Sequence, residues 1–129
     1  MNKIAKYLNQ HIIGNVFDSP QILEAYSTDR SAIKIIPRMV AIPENTTDVC
    51  RIVKFVDQLA KKSVHIPITV RGSGLDKTGA DLGSGLIVST EKLNQILEID
   101  DRARLVRVQA GVTIGQLNTA LALYGLTVP

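Results

Sequence analysis

Ile66-Pro67-Ile68-Thr69-Val70-Arg71-Gly72-Ser73-Gly74-Leu75-Asp76-Lys77-Thr78-Gly79 is the stretch on which the reading of this chain turns. Its first half is apolar and β-branched, the composition of a short strand. Its second half is a glycine-rich turn. Glycines at 72, 74 and 79 allow positive φ and close approach of the backbone to another molecule. Successive N–H groups in such a turn converge into a nest, and a nest beside a cation such as Arg71 suits a phosphate. After Ala80-Asp81-Leu82-Gly83-Ser84 the chain enters Gly85-Leu86-Ile87-Val88-Ser89, a second strand-like run. No helix starts directly after the glycines.

That order separates the loop from two common phosphate cradles. A dinucleotide fingerprint needs its glycines to open a helix whose N-terminus faces the pyrophosphate. A Walker-type loop needs Gly directly before Lys-Ser/Thr. Asp76 stands at that position, before Lys77-Thr78, and a carboxylate there repels the β- and γ-phosphates.

Working outward, residues 3–12 carry Ile4, Leu8 and Ile12 at helical spacing, and the pattern stops before Gly14. Ser19 reads as a cap with Pro20 at the first position of a second helix, which turns Ile22, Leu23 and Tyr26 to the core. Residues 27–36 read as a loop, and 38–42 as a strand stopped by Pro43. Asn45 caps a helix over 46–62, and Asp48 favours its positive end. Val49, Ile52, Val53, Val56, Leu59 and Ala60 make its apolar face, and Lys61-Lys62 suit its C-terminal dipole. Strand, helix and strand over 38–42, 46–62 and 66–71 predict a βαβ unit with parallel strands and a right-handed crossover.

From Gly85 the rhythm changes to short strands at 86–88, 96–99 and 105–108. Asp100-Asp101-Arg102-Ala103 reads as a hairpin turn between the last two. Thr113 caps a final helix with Ile114, Leu117, Leu121 and Tyr124 on one face, and Gly125 ends it. The fold class is therefore α+β, with a βαβ half at 1–90 and the start of an antiparallel half at 91–129. The second half reads as incomplete, because Val106/Val108 and Leu117/Leu121 find no evident partners. The expectation is an N-terminal piece of a longer protein that self-associates or depends on the remaining polypeptide.

Bulk properties exclude several functions. With 129 residues, 45% hydrophobic and 21% charged, the chain has an ordinary single-domain composition. The net charge of +3 is spread along the chain, and Trp is absent. No basic stripe with interleaved aromatics is present, so nucleic-acid binding is not expected. One cysteine, Cys50, rules out an internal disulfide and fits a reducing compartment. The N-terminus lacks a signal-peptide core and no apolar run reaches membrane-spanning length, which predicts a cytoplasmic protein, with peripheral membrane attachment left open.

The strand–glycine loop–strand arrangement resembles the pyrophosphate loop of the FAD-binding domain of the vanillyl-alcohol oxidase and p-cresol methylhydroxylase (PCMH) type. The usual form in its D-lactate and glycolate dehydrogenase branch is Arg-Gly-Gly-Gly-Thr-Ser-x-x-Gly. Other motifs follow in family order: Tyr26-Ser27-Thr28-Asp29, Met39-Val40-Ala41-Ile42-Pro43, Leu93-Asn94, Ile99-Asp100, Val108-Gln109-Ala110-Gly111-Val112, and the Gly125-Leu126-Thr127-Val128-Pro129 ending. Within the loop, Ser73 replaces the middle Gly, while Leu75 and Asp76 replace Thr-Ser and remove two hydroxyls.

The resemblance implies an FAD-dependent oxidoreductase that, when complete, oxidises a small 2-hydroxy acid such as D-lactate or glycolate by hydride transfer to flavin. It assigns cofactor binding to Arg71, Gly72, Ser73, Gly74, Leu75, Asp76, Gly79 and Pro129. No flavin-linking His stands at Leu75, so the FAD is expected to be non-covalent. Substrate residues are expected outside these 129, the piece alone is expected to be inactive, and a homo-oligomer stays open. UDP-N-acetylenolpyruvoylglucosamine reductase, which shares this FAD domain, and a flavin-free interaction module are the alternatives.

The remaining reactive residues read as structural. His11 ends a helix and His65 precedes a strand, neither with a second ligand at metal-binding spacing. Cys50 has no base nearby in sequence. Asp29 suits an Asx-type turn rather than a ligand contact, and Ala110-Gly111 reads as a tight strand-to-helix turn, although the N-terminus of the helix it enters can support an anion. No catalytic constellation or metal cluster is visible, and a flavin enzyme needs none here, because the flavin itself carries the redox chemistry.

Overall fold

The computed structural model describes residues 2–129 and contains two sheets. Along the chain lie α1 (Lys3–Asn9), β1 (Asn15–Phe17), α2 (Pro20–Ala25), β2 (Met39–Ile42), α3 (Thr46–Ala60), β3 (Ile68–Arg71) and β4 (Leu86–Ser89). Then come β5 (Ile96–Asp100), β6 (Leu105–Val108) and α4 (Ile114–Leu121), followed by a single 3-10 turn, Ala122–Tyr124. The fold is mixed α+β.

The first sheet has the order β1-β2-β4-β3. Both β2 and β3 pair in parallel with β4, and β1 runs antiparallel to β2. The strands flanking α3 are thus parallel, as the βαβ pattern requires, but β4 lies between them. The reason is burial. All four residues of Leu86-Ile87-Val88-Ser89 are buried, and a strand covered on both faces gains most at the centre of a sheet.

Alternation across the pleat divides this sheet into two faces. Val16, Met39, Ala41, Leu86 and Val88 join Ala5, Leu8 and Ile12 of the α1 segment and Ile52 and Val56 of α3 in one apolar cluster. Val40 and Ile87, paired in register, are fully buried on the opposite face. Val53 departs from the expected apolar face of α3, being 49% exposed. The helical period carries it past the stripe defined by Ile52 and Val56.

β1 was hidden in the sequence because it is a three-residue edge strand. Its Val16 is clamped by Asn9, whose Nδ2 donates to the Val16 carbonyl at 2.8 Å and whose Oδ1 accepts from the Val16 N–H at 2.7 Å. A side-chain amide thereby supplies the backbone partner that a further strand would provide.

Asp48 also does more than favour a helix dipole. It is fully buried. Its carboxylate accepts from the N–H groups of Ile13 (2.9 Å), Gly14 (2.8 Å) and Glu44 (3.1 Å). One side chain thus ties the α1–β1 turn to the entrance of α3. Burial alone pushes its carboxyl up, but these three N–H groups and the Arg51 charge outweigh that and hold it below the usual range.

β5 and β6 form the expected hairpin, with a bulge between Ile96 and Glu98. Arg104 takes the left-handed conformation at its turn (φ 53°). α4 begins at the predicted cap: Thr113 accepts from the Gln116 N–H, and Gln116 answers by accepting from the Thr113 N–H. Gly125 closes the helical segment at φ 66°. The expected orphan face of α4 is corrected here. Leu117 and Leu121 are buried, and Leu121 shares a crevice with Ile99, Val106 and Leu126.

Candidate functional site

The glycine loop leaves the parallel part of the first sheet at the C-terminal end of β3, beside the end of β4. Such carboxyl ends are where open α/β sheets place their ligand crevices. The Arg71 carbonyl fixes the root of the loop by accepting from the Thr90 N–H at 2.9 Å. Beyond it, the N–H groups of Gly72, Ser73, Gly74, Leu75 and Asp76 donate to no protein acceptor among the described residues. Exposed, unpaired amides in succession are the raw material of an anion site.

A cleft of about 620 Å³ opens alongside. Gly72, Ser73 and Leu75 line one wall, and Thr90, Glu91 and Asn94, after β4, line the floor. The segment from Ala110 to Ile114, with Gln116, forms the facing wall, so the N-terminus of α4 borders the cleft. Gly111 makes this wall possible. A Cβ there would sit 1.9 Å from the Thr90 carbonyl oxygen. No Lys or Arg lines the cleft among the described residues. Attraction for an anion would therefore come from backbone amides and the helix dipole rather than from side-chain cations.

The residues assigned from sequence do not all meet at this cleft. Gly72, Ser73 and Leu75 line it, and Gly72 has open space where a Cβ would stand. Gly74 (φ 69°) faces inward instead, against the Arg71 guanidinium. Gly79 (φ 81°) packs toward Ile33. Pro129 is exposed at the end of the chain and does not border the cleft.

Asp76 turns its carboxylate back into its own loop. Its Oδ2 accepts from the Thr78 hydroxyl (2.7 Å), the Thr78 N–H (2.7 Å) and the Ala80 N–H (2.9 Å). The Thr78 hydroxyl first, and then these amides, hold the carboxyl down at about 2. The charge that disqualified a Walker-type loop thus serves as a turn cap.

Arg71, read from sequence as the cation flanking the nest, is 7% exposed and its side chain points into the protein body. The guanidinium donates to the Thr28 carbonyl at 2.8 Å, lies 3.7 Å from Asp81 Oδ1, and stands 5.3 Å over the Tyr26 ring. Asp29 caps its own turn through Ser31 N–H at 2.7 Å, as an Asx turn requires. Hydrogen bonding from Ser31 lowers its carboxyl, whereas burial raises that of Asp81 against the opposing charge of Arg71. Tyr26 donates to Glu91 at 3.4 Å, and burial raises its phenol.

Thr90 and Glu91 were not recognised in the sequence, because nothing local marks the residues after a buried strand as cleft floor. Asn94 is visible in the sequence only as part of a motif, whereas Ala110-Gly111 already reads as the entrance to a helix N-terminus that can support an anion. Neither histidine lines the cleft, and no cluster of metal-ligating side chains occurs among the described residues.

A strand-to-glycine-loop cleft at the end of a parallel sheet, faced by a helix N-terminus, defines a class of α+β domain suited to nucleotide phosphates. Comparison with known proteins makes this specific: the chain belongs to the FAD binding domain family, which matches residues 37–129. It is 39% identical over 100 residues to D-2-hydroxyglutarate dehydrogenase of Pantoea ananatis, an alignment covering 77% of this chain and 10% of that protein. It is 33% identical over 113 residues to D-lactate dehydrogenase of Archaeoglobus fulgidus, covering 82% of this chain and 24% of that protein. The solved structure of alkyldihydroxyacetonephosphate synthase shares the fold, with a TM-score of 0.77 at 17% identity over 93% of this chain and 26% of that one. The chain thus spans only about a tenth to a quarter of the length of these curated relatives.

Proposed function

We propose that this chain supplies the pyrophosphate-holding wall of an FAD-dependent oxidoreductase acting on a small 2-hydroxy acid such as D-lactate, glycolate or D-2-hydroxyglutarate. The observation that carries the reading is the run of unpaired amides from Gly72 to Asp76, of which Gly72, Ser73 and Leu75 line a cleft bordered by the α4 N-terminus. A doubly charged pyrophosphate matches both features without side-chain cations. The bound flavin would accept the hydride equivalent that a hydroxy acid gives up on oxidation to its keto acid. The chain's own residues bind and orient the cofactor. The substrate class is supported by the activities of the two dehydrogenases named above.

Attachment is non-covalent in this reading, since Leu75 occupies the linking position and neither histidine borders the cleft. A reducing compartment, and with it the cytoplasm, agrees with the exposed free thiol of Cys50. No helix among the described residues is long and apolar enough to cross a membrane.

The test is the visible spectrum of the complete polypeptide that carries this chain. Flavin absorption is expected as purified, the chromophore is expected in the supernatant after acid or heat denaturation, and anaerobic D-lactate, glycolate or D-2-hydroxyglutarate is expected to bleach it. A colourless protein that does not take up added FAD would overturn the proposal. Colour retained in the precipitate would overturn the non-covalent assignment alone.

A further inference from the structure

Arg71 is used in a way the loop motif does not announce. Its guanidinium occupies the space a side chain at residue 74 would fill: a Cβ on Gly74 would lie 2.3 Å from Arg71 Nη2 and 2.8 Å from Cζ. The same group donates to the Thr28 carbonyl, faces Asp81 and lies over Tyr26. A second tether joins the same two segments, the Arg30 N–H donating to the Asp76 carbonyl at 2.9 Å. The glycine loop is therefore held from behind by the 26–30 segment, and Arg71 is the main fastening.

We infer that Arg71 is a positioning residue for FAD binding: it pins the loop through Gly74 and Thr28 so that the Gly72–Asp76 amides stay arranged for the ligand, and it does not itself contact phosphate. The inference rests on the flavin reading above and deepens it. Geometry separates the two roles. A phosphate ligand must reach the cleft, whereas this guanidinium is almost fully enclosed and Arg71 is not among the cleft-lining residues. A planar guanidinium that donates to the Thr28 carbonyl while facing the Asp81 carboxylate and the Tyr26 ring performs a task that lysine performs poorly. Lysine remains a good point-charge partner for phosphate.

The experiment is FAD titration of the apo form of the complete polypeptide in a double-mutant cycle. Gly74→Ala and Arg71→Ala are each expected to weaken binding by about tenfold or more, since each disturbs the same fastening. In the double variant the added methyl group no longer meets a guanidinium. The product of the single factors should then exceed the double's factor by about tenfold, the non-additivity of residues in contact. Arg71→Lys should lose nearly as much affinity as Arg71→Ala. The salt dependence of the dissociation constant should stay as in the wild type, because no charge at the phosphates is removed.

Additive factors, or Arg71→Lys binding within about twofold of the wild type, would overturn the inference. Should Arg71→Ala fail to fold, Arg71→Lys with and without Gly74→Ala completes the same cycle. Wild-type protein that takes up no FAD would overturn the flavin reading together with this inference, whereas wild-type binding with additive variants overturns this inference alone.

Discussion

Replacing Asp48 should cost more stability than any surface carboxylate in this chain. Its three N–H partners come from Ile13 and Gly14 on one side and Glu44 on the other. In Asp48→Ala all three lose their acceptor. Gly14 is buried, whereas Ile13 is exposed and Glu44 half-buried. Taking about 1–3 kcal/mol for the buried donor and about half that for each of the others, the loss is about 2–6 kcal/mol. Asp48→Asn keeps the shape. Its single carbonyl oxygen can serve Gly14 and Glu44, as Oδ2 does now, leaving an NH2 group opposite the Ile13 N–H. That variant should lose about 1–3 kcal/mol.

The pH dependence gives an independent check. Asp48 is held below the usual carboxylate range when folded, so the unfolded chain binds this proton more tightly. Its contribution is therefore complete above the unfolded value of about 3.9 and fades as pH falls through the lower folded value. Asp48→Asn cannot titrate and should show a shallower loss of stability in acid. Urea melts at neutral and acid pH measure the energies, and amide exchange at Ile13, Gly14 and Glu44 reports the site itself. An Asp48→Asn protein within about 0.5 kcal/mol of the wild type, with the same acid limb, would refute the reasoning.

Further outcomes follow from the loops. Asp76→Ala should accelerate amide exchange at Thr78 and Ala80 at neutral pH. In the wild type the same loosening should develop only as pH falls from about 4 toward about 2, because the carboxyl is held at about 2 when folded. Unchanged exchange in the variant would remove Asp76 as the cap of this turn. Gly111→Ala should disturb the cleft wall and cost about 2–3 kcal/mol with reduced flavin content, since its Cβ meets backbone at 1.9 Å. Gly115→Ala, whose Cβ would have its nearest neighbour 4.0 Å away, should be neutral or slightly stabilising. Equal flavin content and equal melting temperatures for the two glycine variants would count against the cleft.

Several local signals of this chain were sufficient where the determinant lies within a few residues of its effect, although Ser19 makes no side-chain cap bond to α2. Asn45 capping α3, Thr113 capping α4, Gly125 at positive φ, and the turn between β5 and β6 are all short-range chemistry. The glycine loop between two strands and the motif order around it were likewise readable, and they agree with the family that matches residues 37–129. Tertiary structure decided what depends on residues far apart in sequence. It placed β4 between β2 and β3, because only the sheet centre buries both faces of Leu86–Ser89. It brought Thr90, Glu91 and the α4 N-terminus to the glycine loop, and it supplied Asp48 with donors from the α1–β1 turn. It also turned Arg71 inward, toward Tyr26, Thr28 and Asp81. A buried guanidinium is drawn to groups that offset part of its lost hydration, here the Thr28 carbonyl, the Asp81 charge and the Tyr26 ring, and those groups lie in other segments of the chain.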